Sequence, residues 1–243
     1  VLVSFAPPTI CDRYMDLLPS RTSIASWLPW TSPQKLHRRR LQLLLITLVV
    51  LILVYPLFKE APEVLSLLMT IVLAAAVWTL SEDRWGQYGA VGLGLPHLTT
   101  IWLMPVVPSW TTSLVRAIVS ALFYGFTTVI VLRHLLRTRQ VVQDTLYGAA
   151  SAYLLLGLSW AFLYAISDLL QPGAIISASG GETGWIEYVY FSFVTLTTLG
   201  YGDLVPGHAS AQSLAILQSV VGTLYVAVLV SQFVEQYAAQ RDR

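Results

Sequence analysis

The sequence predicts an all-α polytopic membrane protein with six transmembrane helices and a short re-entrant helix between the fifth and the sixth. Three observations predict it. Of the 243 residues, 56% are hydrophobic and 11% charged, against roughly 45–50% and about 25% in a soluble domain. The apolar residues gather in blocks of about twenty, the length that crosses a hydrocarbon core of roughly 30 Å. Between the last two blocks lies an apolar, aromatic stretch at 185–197. It is too short to cross, so it has to dip in and stop.

Fourteen basic and thirteen acidic residues leave a formal charge of +1. No global field points to nucleic acid or to an acidic substrate. Cys11 is the single cysteine, so no intrachain disulfide forms. Residues 1–16 lack the basic and compact apolar regions of a cleaved signal peptide. The spans themselves are expected to direct the chain to the membrane.

Residues 1–40 read as a cytoplasmic or interfacial N-terminal segment. It is rich in Pro, Ser and Thr, and places Trp27 and Trp30 near the basic cluster Lys35, His37, Arg38, Arg39 and Arg40. Tryptophans beside cations suit the headgroup level; a disordered tail fits the same composition. Spans follow at 41–58, 64–80, 88–107, 111–132, 147–169 and 209–234. The third carries Gly89, Gly92, Gly94, Pro96, His97 and Pro105, tolerated in a membrane where neighbouring helices satisfy the freed backbone. Residues 41–132 thus form a four-helix domain, 133–146 a linker and 147–243 a second helical domain.

Sidedness follows from the cations, because cytoplasmic loops collect Lys and Arg. With the N-terminus inside, twelve of the fourteen fall on the inner side: Arg13, Arg21, Lys35, Arg38, Arg39, Arg40, Arg84, Arg133, Arg137, Arg139, Arg241 and Arg243. Lys59 is outside and Arg116 within span four. Both termini are expected in the cytoplasm of a multi-pass plasma-membrane protein, the 133–146 linker lies inside, and 170–208 faces outward.

The short apolar stretch runs into Thr195-Leu196-Thr197-Thr198-Leu199-Gly200-Tyr201-Gly202-Asp203. A dehydrated cation needs a cage of oxygens, and successive backbone carbonyls supply one only if all point to one side. Gly200 and Gly202 permit that, because glycine accepts φ values that other residues resist. Thr198 adds a hydroxyl at the inner end, while Leu199 and Tyr201 point away and wedge the strand.

This run resembles the signature of the potassium-channel family, T-M-T-T-V-G-Y-G-D, and differs from it at Leu196 and Leu199. The resemblance covers about 147–240, an outer helix, pore loop and inner helix. It implies a homotetramer or pseudo-tetramer in which four loops meet on one axis. One chain holds one loop, so four chains are required. Potassium ions, the permeant ligand, would then sit at the carbonyls of Thr198, Leu199, Gly200 and Tyr201 and at the Thr198 hydroxyl. Gly202 would complete the turn, and Asp203 would brace the outer mouth from behind. Tyr190 and Phe191 occupy the positions of a tryptophan pair in many relatives, and Val194 that of a glutamate in some. Together with Thr195 they make the filter support, and a bond from Tyr190 to Asp203 is the expected polar brace. No other cofactor is implied.

In the inner helix, Gly222 falls at the family's hinge glycine. It either lets the lower half bend or allows close packing. Val226, Val230 and Val234 recur every four residues and form either a hydrophobic gate or an ordinary packing row.

Six spans with a loop before the sixth suggest voltage gating, which requires an arginine array at roughly 2.3 kcal/mol per charge per 100 mV. Span four carries Arg116 alone, and Glu60, Glu63, Glu82 and Asp83 all fall in connections. Residues 41–132 are therefore not a functional voltage sensor, and Arg116 is expected to snorkel outward. His97 reads as a structural histidine or a proton sensor, and His208 as a site for external protons. Arg133, Arg137 and Arg139 suit anionic lipid headgroups on an interfacial helix, or anchor the topology. No ligand-binding module is recognised, which leaves the opening stimulus to a separate regulatory subunit or another source.

Enzyme motifs such as HExxH and GxSxG are absent, as is any Cys/His/Asp cluster with metal-ligand spacing. The expected function is passive, potassium-selective conduction that is weakly voltage-dependent or independent of voltage. A non-selective monovalent cation channel and a non-conducting scaffold with a pore-like loop are the alternatives.

Overall fold

A computed structural model describes residues 33–58, 62–81, 84–102, 109–137, 143–181 and 183–241. Trp27, Trp30, Lys59, Glu60, Glu82, Asp83, Pro105, Arg139 and Arg243 lie outside the described residues. The chain divides into Val1–His37 and Arg38–Arg243; the packing below is that of the second unit.

Helix α1 covers Pro33–Val54 and ends in a 3-10 turn at Tyr55–Phe58, where Pro56 cannot continue the hydrogen-bond ladder. The basic cluster lies inside this helix instead of preceding it. Leu41, Leu44, Leu48, Leu51 and Tyr55 are buried at helical spacing, while Ile46, Val49, Val50 and Leu53 remain exposed. That is one packed face and a lipid-compatible remainder.

Helices α2 (Pro62–Leu80), α3 (Arg84–Trp102) and α4 (Trp110–Arg137) follow. The four-residue N-terminal turn of α4 is closed reciprocally. Thr112 N donates to Ser109 Oγ at 3.2 Å, and Ser109 N donates to Thr112 Oγ1 at 3.0 Å. The helix extends past 132 to Arg137, so part of the expected linker is helical.

Helix α5 (Gln143–Leu170) packs most extensively on α4. Ser159 Oγ on α5 donates to the Ala121 carbonyl of α4 at 3.4 Å and lies 3.3 Å from where a Cβ at Gly125 would stand, a close approach of the kind small residues permit in membranes.

Among the described residues, five helical segments are long and apolar enough to cross a membrane: Arg39–Phe58, Glu63–Leu80, Trp110–Leu136, Thr145–Leu170 and Ala209–Glu235. Helix α3 falls short, because its four glycines, Pro96, His97 and Gln87 dilute its hydropathy. It nonetheless packs between α2 and α4.

Helix α6 (Trp185–Leu196) and helix α7 (Ala209–Arg241) complete the chain. The described residues are mostly helical, as expected, with one short ribbon whose strands lie on either side of α6 in the chain. Strand β1 (Ile175–Ser177) pairs antiparallel with β2 (Leu204–Pro206), in the register Ile176 to Val205. Three residues per strand are too few for a period-two pattern to stand out.

Contacts sort the helix ends into two groups. At one end, the Trp110 indole donates to the Leu169 carbonyl at 2.9 Å, His208 bonds the Pro172 carbonyl at 3.0 Å, and Tyr55 meets Trp185 edge-on. At the other, Arg40 donates to Ser81 Oγ at 3.1 Å and Tyr225 to the Ala149 carbonyl at 2.6 Å. The segments therefore alternate in direction.

Candidate functional site

At 12 residues, α6 is about 18 Å long. Its start is fixed by Glu187, whose Oε2 accepts from the Gly184 amide at 2.9 Å. Tyr188 anchors the same end, donating at 2.7 Å to Asp168 Oδ2, while Asp168 Oδ1 accepts from the amides of Gly173 and Ala174 at 3.1 and 2.9 Å. One carboxylate thereby joins the end of α5, the outer turn and α6.

The last carbonyls of a helix lack intrahelical partners, and here each finds one. Phe193 O accepts from Thr197 N at 3.0 Å, and Thr195 O from Thr198 N at 3.0 Å. Val194 O accepts from Leu199 N at 2.9 Å and from Gly200 N at 3.4 Å. Leu196 O accepts from the Tyr153 hydroxyl at 3.3 Å.

These bonds orient the following backbone. In a trans peptide the N–H of one residue and the C=O of the residue before it point in opposite directions. With the amides of Thr198, Leu199 and Gly200 turned toward the end of α6, the carbonyls of Thr197, Thr198 and Leu199 turn away from it. The φ values sustain the pattern: Thr198 (57°), Gly200 (56°) and Gly202 (80°) are positive, whereas Leu199 and Tyr201 are not. Alternation of sign keeps successive peptide groups facing one way.

Thr198 is a finding that sequence reading did not supply. A β-branched residue at positive φ is a genuine outlier, at a cost of order 1–3 kcal/mol. Residues 197–203 are all exposed on the single chain.

The support residues assemble around this strand. Tyr190 donates to Asp203 Oδ2 at 2.8 Å, and that bond to a carboxylate holds the phenol above its ordinary pKa. The Asp203 carbonyl accepts from Ala178 N at 2.8 Å, next to the β1–β2 ribbon. Phe191 is buried, its ring 4.8 Å from Tyr164 in an edge-to-face contact. Val194 and Thr195 serve through their carbonyls.

Helix α7 buries only Ala211, Gln218 and Gly222 among its described side chains, all on one face. A Cβ at Gly222 would run into the Leu196 carbonyl, so glycine permits the close approach of α7 to the end of α6. Val226, Val230 and Val234 lie farther along α7 and are exposed. The structure does not bring them to the loop.

Sequence reading missed three buried polar residues, Tyr164, Ser192 and Gln218. Tyr164 donates to Gln218 Oε1 at 2.6 Å, and Gln218 Nε2 donates to Ser192 O and Oγ at 3.0 and 2.8 Å. The available signal was a glutamine amid the apolar residues of a membrane helix.

His97 is buried in the outer bundle. Its Nδ1 lies 3.1 Å from Ser120 Oγ, and its ring stacks on Phe123 at 5.1 Å. Arg116 is exposed. No group of three or more His, Cys, Asp or Glu able to hold a metal ion occurs among the described residues.

A family model described as "Ion channel" matches residues 152–239, from α5 through α7. Over 83 residues the chain is 32% identical to "Two pore potassium channel a" of Oryza sativa subsp. japonica, covering 33% of this chain and 24% of that protein. It is 29% identical over 107 residues to "Two-pore potassium channel 2" of Arabidopsis thaliana, covering 44% and 24%. "Two-pore potassium channel 4" of the same plant is 37% identical over 65 residues, covering 26% and 23%. The matches thus span about a quarter of the length of these relatives. No solved structure matches. Over residues 152–239, the loop built on α6 and the helices that flank it, the chain is thus similar to an ion-channel family and to plant proteins named as potassium channels.

Proposed function

We propose that the chain is one subunit of a potassium-selective channel, four copies of which close a carbonyl-lined filter around a shared axis. The observation that carries this reading is the 197–200 backbone, whose amides turn onto the end of α6, so that the carbonyls of Thr197, Thr198 and Leu199 turn the other way. Four such walls replace the water shell of a potassium ion at Thr198, Leu199, Gly200 and Tyr201. The C-terminal end of α6 adds partial negative charge, which favours a cation nearby.

The exposure of α7 supports assembly. Ile216, Leu217, Val220, Leu224, Val226, Val228 and Val230 are exposed on the single chain. Copies of the chain and lipid cover them, and part of the valine row then lines the inner cavity. Helix α6 is the re-entrant helix, and α3, held between two apolar spans, is the sixth crossing. With the basic residues inside, both termini are cytoplasmic and the β1–β2 ribbon is external in the plasma membrane. The outer helices carry no arginine array, so opening depends weakly on voltage.

The test is flux from purified protein in liposomes, combined with a subunit count. Potassium efflux that barium blocks, carried by a tetramer, supports the reading. Equal sodium flux identifies a non-selective cation channel, and intact tetramers without flux identify a scaffold.

A further inference from the structure

Gln218 has a fully buried carboxamide in a helix most of whose apolar side chains are exposed or only partly buried. Burying an amide without partners is costly, and here its partners are all on other helices. The Ser192 carbonyl can only accept, so the amide nitrogen must face it. The amide oxygen then faces Tyr164, whose hydroxyl must donate. Ser192 Oγ itself donates to the Gly157 carbonyl at 2.6 Å. The bonds close a circuit from α5 to α7 to α6 and back to α5, and the direction of every bond is fixed.

That circuit grips α6 just ahead of the groups that hold the filter. Ser192 lies two and three residues before Val194 and Thr195, whose carbonyls receive the amides of Leu199, Gly200 and Thr198. Helix α7 touches the same region twice more. Ser219 Oγ donates to Thr195 O at 3.4 Å, and Gly222 lies against Leu196.

We propose that Gln218 is a positioning residue for conduction: its amide fixes the seat of α6 against α7 and thereby sets the backbone of the filter. Movement of α7 at this level reaches the filter through Ser192. The inference rests on the channel reading above, and its test separates the two.

Full-length Gln218→Met, Gln218→Glu and Tyr164→Phe chains in nanodiscs are compared with wild type. The measurements are deuterium uptake at residues 197–203 and the K+/Na+ permeability ratio. Gln218→Met removes all three bonds at similar volume. Faster exchange at 197–203, by roughly fivefold or more, is expected from the loss of one or two hydrogen bonds, with a lower permeability ratio. Gln218→Glu keeps an acceptor for Tyr164 and falls between Gln218→Met and wild type. Where Gln218→Met does not assemble, Tyr164→Phe, which leaves the Ser192 bonds in place, carries the comparison with a smaller change in the same direction. Wild-type exchange at 197–203 in every variant that assembles overturns the proposal, and so does an unchanged permeability ratio in a conducting variant. A wild-type chain that carries no current removes the channel reading alone, because exchange at the filter still decides whether Gln218 positions it.

Discussion

The phenol of Tyr190 donates to the carboxylate of Asp203 at 2.8 Å, joining the middle of α6 to the far end of the 197–203 loop. The main chain of Asp203 is held separately, by Ala178 beside the outer ribbon. One residue is thus fixed from two sides, and its side-chain bond can be removed without touching the other. Tyr190→Phe is expected to leave assembly intact, lower the K+/Na+ permeability ratio and speed inactivation. Recordings that match wild type in both respects contradict a bracing role. Since the carboxylate raises the phenol's pKa, this contribution is fully present below the ordinary phenol value of about 10. It is lost as pH rises through the higher folded value.

Gly200 and Gly202 have positive φ, where a side chain costs roughly 1–2 kcal/mol per residue. Alanine at either position is expected to turn the local peptide and abolish potassium flux, while the helices fold as before. Circular dichroism and liposome flux on the same preparation check both parts. Normal flux from Gly200→Ala contradicts the backbone argument.

Gly222 lies where a Cβ would meet the Leu196 carbonyl. Gly222→Ala is expected to destabilise the assembly by about 1–3 kcal/mol, the usual cost of overpacking, which a lower thermal midpoint of the purified oligomer detects. An unchanged midpoint with altered opening favours a hinge over close packing.

Helix α4 holds Arg116 as the basic residue within its span, with Arg133 and Arg137 near its end. A full charge crossing the field is worth roughly 2.3 kcal/mol per 100 mV. Open probability is therefore expected to change only modestly over 100 mV, and Arg116→Gln should leave that dependence unchanged. A steep conductance–voltage curve, equivalent to several charges per subunit, contradicts this view of the outer helices.

The legibility of the sequence varied with the scale of each signal. Helices α1, α2, α4, α5 and α7 showed in the amino-acid pattern because each sustains an apolar block long enough to cross. The loop showed because Thr198 to Asp203 is a dense and specific run. Helix α3 was less legible, since its glycines and Pro96 weaken hydropathy while tertiary packing still holds it helical. The β1–β2 ribbon was invisible, because three-residue strands carry no period and their pairing depends on where the chain returns after the filter. Likewise, the Gln218 circuit depends on which helices become neighbours, and nothing in the spacing of Tyr164, Ser192 and Gln218 announces it. The positive φ at Thr198 is imposed by the amides that the end of α6 captures, so its residue type gave no warning.

The central claim, potassium selectivity from carbonyls of assembled chains, is tested most directly by the reversal potential of the purified wild-type protein in a planar bilayer, with potassium salt on one side and sodium salt at equal concentration on the other. A reversal far from zero is expected, in the direction that marks potassium as the preferred ion. A reversal near zero contradicts selectivity, and intact assemblies that pass no current contradict conduction itself.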